Sequence, residues 1–468
     1  MPPQLALILW IILLLALFRF DPAKVSGTSS ALWVPLTWLF IIGSRLPEQW
    51  LGGEEVRPAA QALEEGNALD RGILFGLILL AIIFLSLRRF SWLSFFSRNS
   101  ALMALLLLAL VSVAWSDFPA VTFKRWFRDL GNYLMVLVVL SDPDPFEAFR
   151  TVLRRLCYLL ISLSILLIKY YSAIGKQFDY WTGTPMFVGA TTSKNMLGVL
   201  CLVSAIFFLW DTVTRWSNRK ERGTKRIIQV NVAFIAMTLW LLRLANSATS
   251  TVCLTMGCLI ILAANTEMFR RRPGFLKFMI PTAFCVYLIL GFGFDINGDL
   301  AGAVGRDPTF TGRSNIWNAV LSTHTNPIVG TGYESFWLGP RLSHVWDLAG
   351  GVNEAHNGYL ELYLELGLVG VFLFLVFMTA SYKAICKRFS PSFHLASLGL
   401  ALWTVMLFYN MTEAAAFNGQ LLWVIFALVI IVVSARDPIA RDASPVKRSV
   451  FEKHPSKLRE RAAVGSRI

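Results

Sequence analysis

Two groups of residues in the second half of the chain combine side chains suited to chemistry. The first is Gly312-Arg313-Ser314-Asn315-Ile316-Trp317, followed by Asn326-Pro327-Ile328-Val329-Gly330-Thr331-Gly332-Tyr333. The second begins His356-Asn357-Gly358-Tyr359 and runs through Glu361, Tyr363 and Glu365 to Gly367 and Gly370. An imidazole titrates near neutrality, and a guanidinium is a planar fork that fits anions. If the second group is helical, His356, Tyr359 and Tyr363 share a face and Glu361 stacks on Glu365 one turn on. Gly367 and Gly370 would then let a neighbouring helix approach closely. The same residues also make an ordinary interfacial helix start, with His and Tyr at headgroup level and the glutamates as caps. Residue types alone leave both readings open.

Other candidate chemistry falls away on inspection. Asp295-Ile296-Asn297-Gly298-Asp299 imitates a calcium loop but has Leu300 at the sixth position and Arg306 at the twelfth, where Gly and Glu are needed. Asp142-Pro143-Asp144 looks like a metal-binding carboxylate pair, yet its position favours a helix-capping turn. The chain has no P-loop, no GxSxG and no HExxH. Neither a metal nor a cofactor is expected.

The elements that must position these residues are apolar. Of 468 residues, 56% are apolar and only 15% charged, where soluble domains carry charge nearer one residue in four. Candidate spans are 4–19, 29–44, 72–87, 99–115, 126–141, 155–171, 194–211, 228–245, 249–266, 276–293, 358–379, 395–410 and 420–435. That makes about 12 or 13 helices, each near the length needed to cross a bilayer. The first, ending at Arg19, lacks a basic leader and a cleavage site, so it reads as a helix and not as a signal peptide.

The net charge of +14 comes mainly from short basic clusters between spans, which include Arg88 with Arg89, Arg215 to Arg226, Arg270 to Arg272 and Lys383 to Arg388. Alternating the spans puts these clusters on one face, as the positive-inside rule requires, and the balance does not indicate nucleic acid. The acidic stretches 45–71 and 295–354 fall on the other face. The side of the N-terminus stays open. Five cysteines lie inside spans and Cys386 in a basic loop, so all six read as free thiols.

One connection is long, the outer loop from about 294 to 355. Loops of that length are usually functional. Within 311–323, Ile316, Trp317, Val320 and Leu321 recur at helical spacing, which predicts a short amphipathic helix on the membrane surface or against the bundle. The expected organisation is a polytopic membrane domain over 1–435 and a basic, disordered cytoplasmic tail over 436–468.

These motifs, in this order, resemble the O-antigen ligase / Wzy polymerase family, in its exopolysaccharide polymerase branch. Further support comes from Trp115-Ser116 closing a span, from Arg125 ten residues after Trp115, and from Ser193-Lys194-Asn195 leading to Gly198. The resemblance covers about 100–435. It implies an all-α membrane glycosyltransferase-type fold with one large periplasmic loop, in the bacterial inner membrane, with the C-terminus cytoplasmic. It further implies a donor glycan on undecaprenyl diphosphate, transferred at the periplasmic face to an acceptor hydroxyl, and contact with other polysaccharide assembly proteins.

On that resemblance His356 is the base or orienting group and Arg313 a catalytic cation. Arg125, Lys194 and Arg243 are candidates for the donor diphosphate, since fixed cations can replace a divalent metal. Tyr333, Trp317 and Asn357 are candidate sugar contacts. The plainer alternatives are snorkelling helix-end cations and loop packing. Arg243 stands upstream of the family's serine-rich turn, here Ser247 to Ser250, which weakens its case. Glu413, between the last two spans, reads as structural, although a carboxylate at the membrane edge is also a functional suspect. The competing functions are an O-antigen ligase acting on lipid A core, a transporter or flippase, which would show repeated halves with broken helices at the midplane, and a structural subunit.

Overall fold

Capping residues mark where helices begin. Asp144 accepts from Glu147 N at 3.1 Å with Pro145 in the first turn, Ser193 accepts from Met196 N at 3.2 Å, and Asn357 accepts from both Tyr359 N and Leu360 N at 3.1 Å. Each cap satisfies amide donors that a helix start leaves open. Asp142, beside the Asp144 cap, binds Ser29 Oγ at 2.6 Å and Arg88 at 2.9 Å, so Asp142-Pro143-Asp144 is a helix-entry turn.

The computed structural model describes residues 1–19, 27–52, 67–178, 183–272, 274, 275, 277, 278, 280–285, 313–389 and 392–433. Leaving out single turns, the first half holds α1 (Pro3–Arg19), α2 (Trp33–Ile42), α3 (Ala68–Leu87), α4 (Trp92–Arg98), α5 (Ser100–Val111), α6 (Pro119–Leu140) and α7 (Pro145–Tyr170). An antiparallel hairpin of β1 (Lys176–Phe178) and β2 (Pro185–Phe187), which no sequence signal announced, precedes α8 (Lys194–Arg215). Then come α9 (Arg222–Ala245), α10 (Ala248–Ala264), α11 (Arg313–Leu321), α12 (Gly339–Ala349), α13 (Gly358–Arg388), α14 (Phe393–Tyr409) and α15 (Leu421–Ile430).

The protein is an all-α, multi-pass membrane protein. Among the described residues, five helices are long and apolar enough to cross a bilayer, or six if the pair α4 and α5, bent by 96°, is one span. Every apolar stretch read from the sequence holds helical residues; in 276–293 these are 277, 278 and 280–285, and its other positions lie outside the described residues. The stretches are unequal, however. α1, α2, α10, α14 and α15 fall below the length of a full crossing, and α15 is buried at all ten of its positions. Hydropathy marks such interior helices as strongly as lipid-facing ones, because both are apolar all round.

Contacts between helix ends sort the molecule into two faces. At one, Arg45 donates to Thr191 O at 3.2 Å and Ile174 O at 2.6 Å, and Tyr171 Oη donates to Pro3 O at 3.1 Å. The start of α1 therefore lies on the face that carries the long loop. Arg88, Arg215 and Arg388 gather at the opposite face. The tail 436–468, Asp295 to Asp299 and Gly312 lie outside the described residues.

The described part of the long loop is a folded cap. α11 matches the expected amphipathic helix, while α12 was not anticipated. They share a small core in which Ile316, Val320, Phe336, Leu342 and Val345 pack with Leu364 of α13.

The cap is locked into α13 by an exchange of backbone hydrogen bonds. α13 breaks at Gly367 (φ 63°, ψ −164°). Across the break Thr331 N donates to Leu364 O at 3.0 Å and Gly332 N to Glu365 O at 2.9 Å. In return Leu368 N donates to Pro327 O at 2.9 Å and Val369 N to Ile328 O at 3.1 Å. A broken helix at membrane depth is tolerable only where other groups take up its freed donors and acceptors, and residues 327–332 do so here. Trp115 Nε1 holds Val329 O at 3.1 Å, and Gly332 packs on Ser116, so the Trp115-Ser116 pair braces the same loop.

Candidate active site

Glu413 follows α14 and is 6% exposed. Its carboxylate takes Arg313 Nη2 at 2.9 Å, Asn195 Nδ2 at 3.2 Å from both oxygens, and His356 Nδ1 at 3.3 Å. One buried carboxylate thus joins the loop arginine, the first turn of α8 and the histidine before α13. A buried charge with charged and hydrogen-bonded partners on both oxygens is satisfied, where a lone one would be costly. Gly358 N donates to both Asn410 O and Glu413 O, and a Cβ on Gly358 would collide with the Asn410 side chain. Glycine is what lets α13 start this close to the end of α14.

His356 adopts φ 50°, left-handed and unusual for a residue with a side chain. Glu334 (φ 50°) and Phe417 (φ 52°) do the same nearby. Such strain persists only where the surroundings over-determine it, and it concentrates at functional sites. Nδ1 of His356 also lies 2.9 Å from Glu354. Burial by itself lowers the imidazole pKa, but the hydrogen bonds and charges of Glu354 and Glu413 outweigh it and raise the group to about 10. The resting imidazole is therefore protonated at neutral pH. Both carboxylates meet Nδ1.

The other sequence candidates are placed unevenly. Lys194 and Arg243 are both exposed at the loop-bearing face. Arg125 lies elsewhere, donating to the Glu334 carbonyl. Tyr333 is 3% exposed, with its hydroxyl on Asp129 at 2.9 Å and Phe417 O at 3.1 Å, so it anchors the loop and has no open face for a sugar ring. Asn357 spends its side-chain oxygen on capping α13. Trp317 donates to Ala355 O at 2.9 Å and so holds the residue before His356. His344 meets Ser322 at the surface.

Next to the cluster is a cavity of about 970 Å³ between α3, α6, the cap and α13. Arg71, Lys124, Arg125 and Arg128 line it, as do Glu334, Glu354, Glu361 and Glu365, whereas Lys194, Arg243 and Arg313 do not. Arg128 pairs with Glu334 at 2.9 Å and with Asp129 at 3.0 Å. Burial holds the Glu334 carboxyl above its ordinary range despite Arg128.

The donor atoms of Glu354, His356 and Glu413 lie within 4.8 Å of one another, a set whose geometry suits a divalent cation. The sequence carried no such expectation. Arg313 and Asn195 already occupy both oxygens of Glu413, and a guanidinium at 2.9 Å repels a second cation.

Glu413 is the residue that sequence reasoning undervalued. A signal was available, because it is the sole ionisable carboxylate between Arg388 and Arg436 and sits between two apolar spans, where such a group is a functional suspect. Arg71, Lys124, Arg128 and Glu334 had no such signal, since helix-end charges are commonplace.

Residues 232–375 match the family model described as O-Antigen ligase, a segment that takes in Arg243, Arg313 and His356 and ends before Glu413. The chain is also 26% identical over 301 residues to the Exopolysaccharide production protein ExoQ of Rhizobium meliloti (strain 1021). That match takes in 61% of this chain and 65% of the relative's length.

Proposed function

We propose that this chain, with its O-antigen ligase domain over residues 232–375, is a membrane glycosyltransferase. It extends an exopolysaccharide or O-antigen-type glycan from an undecaprenyl-diphosphate donor, at the periplasmic face of the inner membrane. The observation that carries this reading is the convergence of Arg313 and His356 on Glu413.

In the reaction an acceptor hydroxyl oxygen bonds to the anomeric carbon while the bond from that carbon to the diphosphate breaks. The electron pair leaves on the diphosphate, and the hydroxyl proton passes to the His356, Glu354 and Glu413 cluster. Arg313 takes the growing charge on the diphosphate, with Lys194 and Arg243 as further cations at the same face. His356 orients the acceptor through Nε2 and accepts its proton once the imidazolium has given one up. No metal is needed for these steps.

Replacing His356 or Arg313 by Ala should abolish polymer formation while protein level and membrane insertion persist. Normal chain length in both variants would end the proposal. The family description favours a second reading, a ligase that transfers a finished glycan to lipid A core. Deleting the gene separates the two, because a polymerase leaves single lipid-linked repeats to accumulate and a ligase leaves full-length lipid-linked chains.

A further inference from the structure

At the face opposite the cap, α4 is bent by 96° from α5, which runs on into the bundle. A short apolar helix at that angle lies along the membrane plane, at headgroup depth. Its residues fit that place. Leu93 is 82% exposed with Trp92 and Phe96 standing out beside it, Phe95 turns into the core, and Ser94, Ser97 and Arg98 are the polar positions.

A pocket of about 80 Å³ opens where α4 meets α5. Arg98 and Ser100 line it from that corner, and Phe377, Ala380, Ser381 and Ala384 from α13. Arg98 donates through Nε to Ser94 Oγ at 3.2 Å, and among the described residues its Nη groups carry no further bond. Asn99 would ordinarily cap α5 with its side-chain oxygen. Here that oxygen accepts from Val432 N at 3.2 Å and Nδ2 donates to Val432 O at 2.8 Å, so the side chain is spent on the segment after α15. α5 therefore starts without a side-chain cap. The amides of residues 100–102, which line the pocket, find no backbone acceptor among the described residues. Arg388 adds a second cation behind Ile431, whose carbonyl it holds at 3.4 Å. No carboxylate is among the lining residues. An unpaired guanidinium over open amides, with room for about five waters, favours an anion.

The surroundings decide which anion. Ala380 and Ala384 stand one turn apart on α13, so small side chains leave a groove along that helix. Further into the membrane, Leu107 of α5 and Phe372, Leu375 and Val376 of α13 are between 40% and 63% exposed. A free ion would leave that apolar rim unused, whereas acyl chains cover it. We propose that the pocket holds the phosphate of an anionic phospholipid from the leaflet opposite the cap, with its acyl chains along α5 and α13. A zwitterionic headgroup brings its own ammonium toward Arg98 and Arg388 and is the weaker ligand. The bound lipid ties α4 and α5 to the lower half of α13, the helix that begins two residues after His356. Binding there needs no step of the reaction proposed above.

The test is native mass spectrometry of the full chain released from nanodiscs made of phosphatidylglycerol and phosphatidylcholine in equal parts. The wild type should retain phosphatidylglycerol in preference by about fivefold, as expected for one basic side chain meeting an anionic lipid. Arg98→Glu should remove the preference and Arg98→Lys should keep it. Ala384→Leu fills the pocket without altering charge and should remove it too. Arg219→Glu makes the same charge change at an exposed arginine outside the pocket and should leave it intact. Equal retention of both lipids by the wild type would overturn the inference, and so would equal losses in Arg98→Glu and Arg219→Glu. Displacement of the lipid by excess inorganic phosphate would overturn the choice of a lipid over a free ion. Should Ala384→Leu fail to fold, the substitutions at the exposed Arg98 decide alone.

Discussion

Nδ1 of His356 lies 3.3 Å from the carboxylate of Glu413, although 57 residues separate the two in the chain. Arg313 reaches the same carboxylate from 100 residues away. A histidine positioned by a carboxylate and a loop cation joined through that carboxylate form a unit whose protonation state can be measured.

The first consequence concerns rate and pH. The two carboxylates raise His356 to about 10, so only its small neutral fraction can accept a proton at pH 7. The turnover rate should climb as pH rises through the neutral and alkaline range. Glu413→Gln removes one carboxylate and should move that climb toward lower pH while also lowering the maximum. Superimposable profiles for wild type and Glu413→Gln would count against proton acceptance by His356.

The same shift has a sign for stability. The folded pKa of His356 stands above its ordinary 6.5, so protonation favours the folded state. Its contribution is fully present below about pH 6.5 and is lost as pH rises through about 10. Thermal unfolding of wild type and His356→Gln should therefore differ most near pH 6 and converge toward pH 10. A gap that widens with pH would contradict the ion pairs.

Gly367 is predicted to be indispensable to the fold. Its φ of 63° and ψ of −164° belong to a region open almost only to glycine, where a side chain costs about 1–3 kcal/mol. A Cβ there would also collide with the Ile328 carbonyl. Gly367→Ala should lower the unfolding temperature and loosen the cap, read as faster proteolysis of residues 313–355. Gly76→Ala is the control, since a Cβ at that helical position meets nothing within 4 Å, and alanine there should be neutral or stabilising by up to about 1 kcal/mol.

Tyr333→Phe removes one hydroxyl and leaves Asp129 without that donor. A buried acceptor stripped of a partner costs about 1–3 kcal/mol, so unfolding should shift to lower temperature while any sugar preference stays as in the wild type. A changed preference with no loss of stability would restore Tyr333 as a sugar contact.

Chelation addresses the proximity of Glu354, His356 and Glu413. With Arg313 on the Glu413 carboxylate, EDTA treatment followed by gel filtration should leave the initial transfer rate within about twofold, well under the tenfold that 1.4 kcal/mol represents. A rate lost to EDTA and restored by a divalent ion would make this cluster a metal site.

Much of the fold was legible because its signals are local. An apolar run of span length, a cap such as Ser193 before Lys194, and the basic clusters opposite the acidic loop can each be read within a few residues. The unequal length and burial of those stretches was not legible. The α14 and α15 segments are as apolar as any lipid-facing helix but lie in the protein interior, and hydropathy is blind to that difference.

The sequence by itself carried the reading of a chain that crosses a membrane many times, and it singled out Arg313 and His356 as candidates. Only the tertiary structure decided that Glu413 joins them, that residues 327–332 complete the broken helix at Gly367, and that Arg125 lines a cavity away from Lys194 and Arg243. The reason is physical. Transfer into lipid is a sum over neighbouring residues, so it survives in the one-dimensional string, whereas a buried carboxylate is defined by partners that packing brings from distant helices, and no local pattern records them.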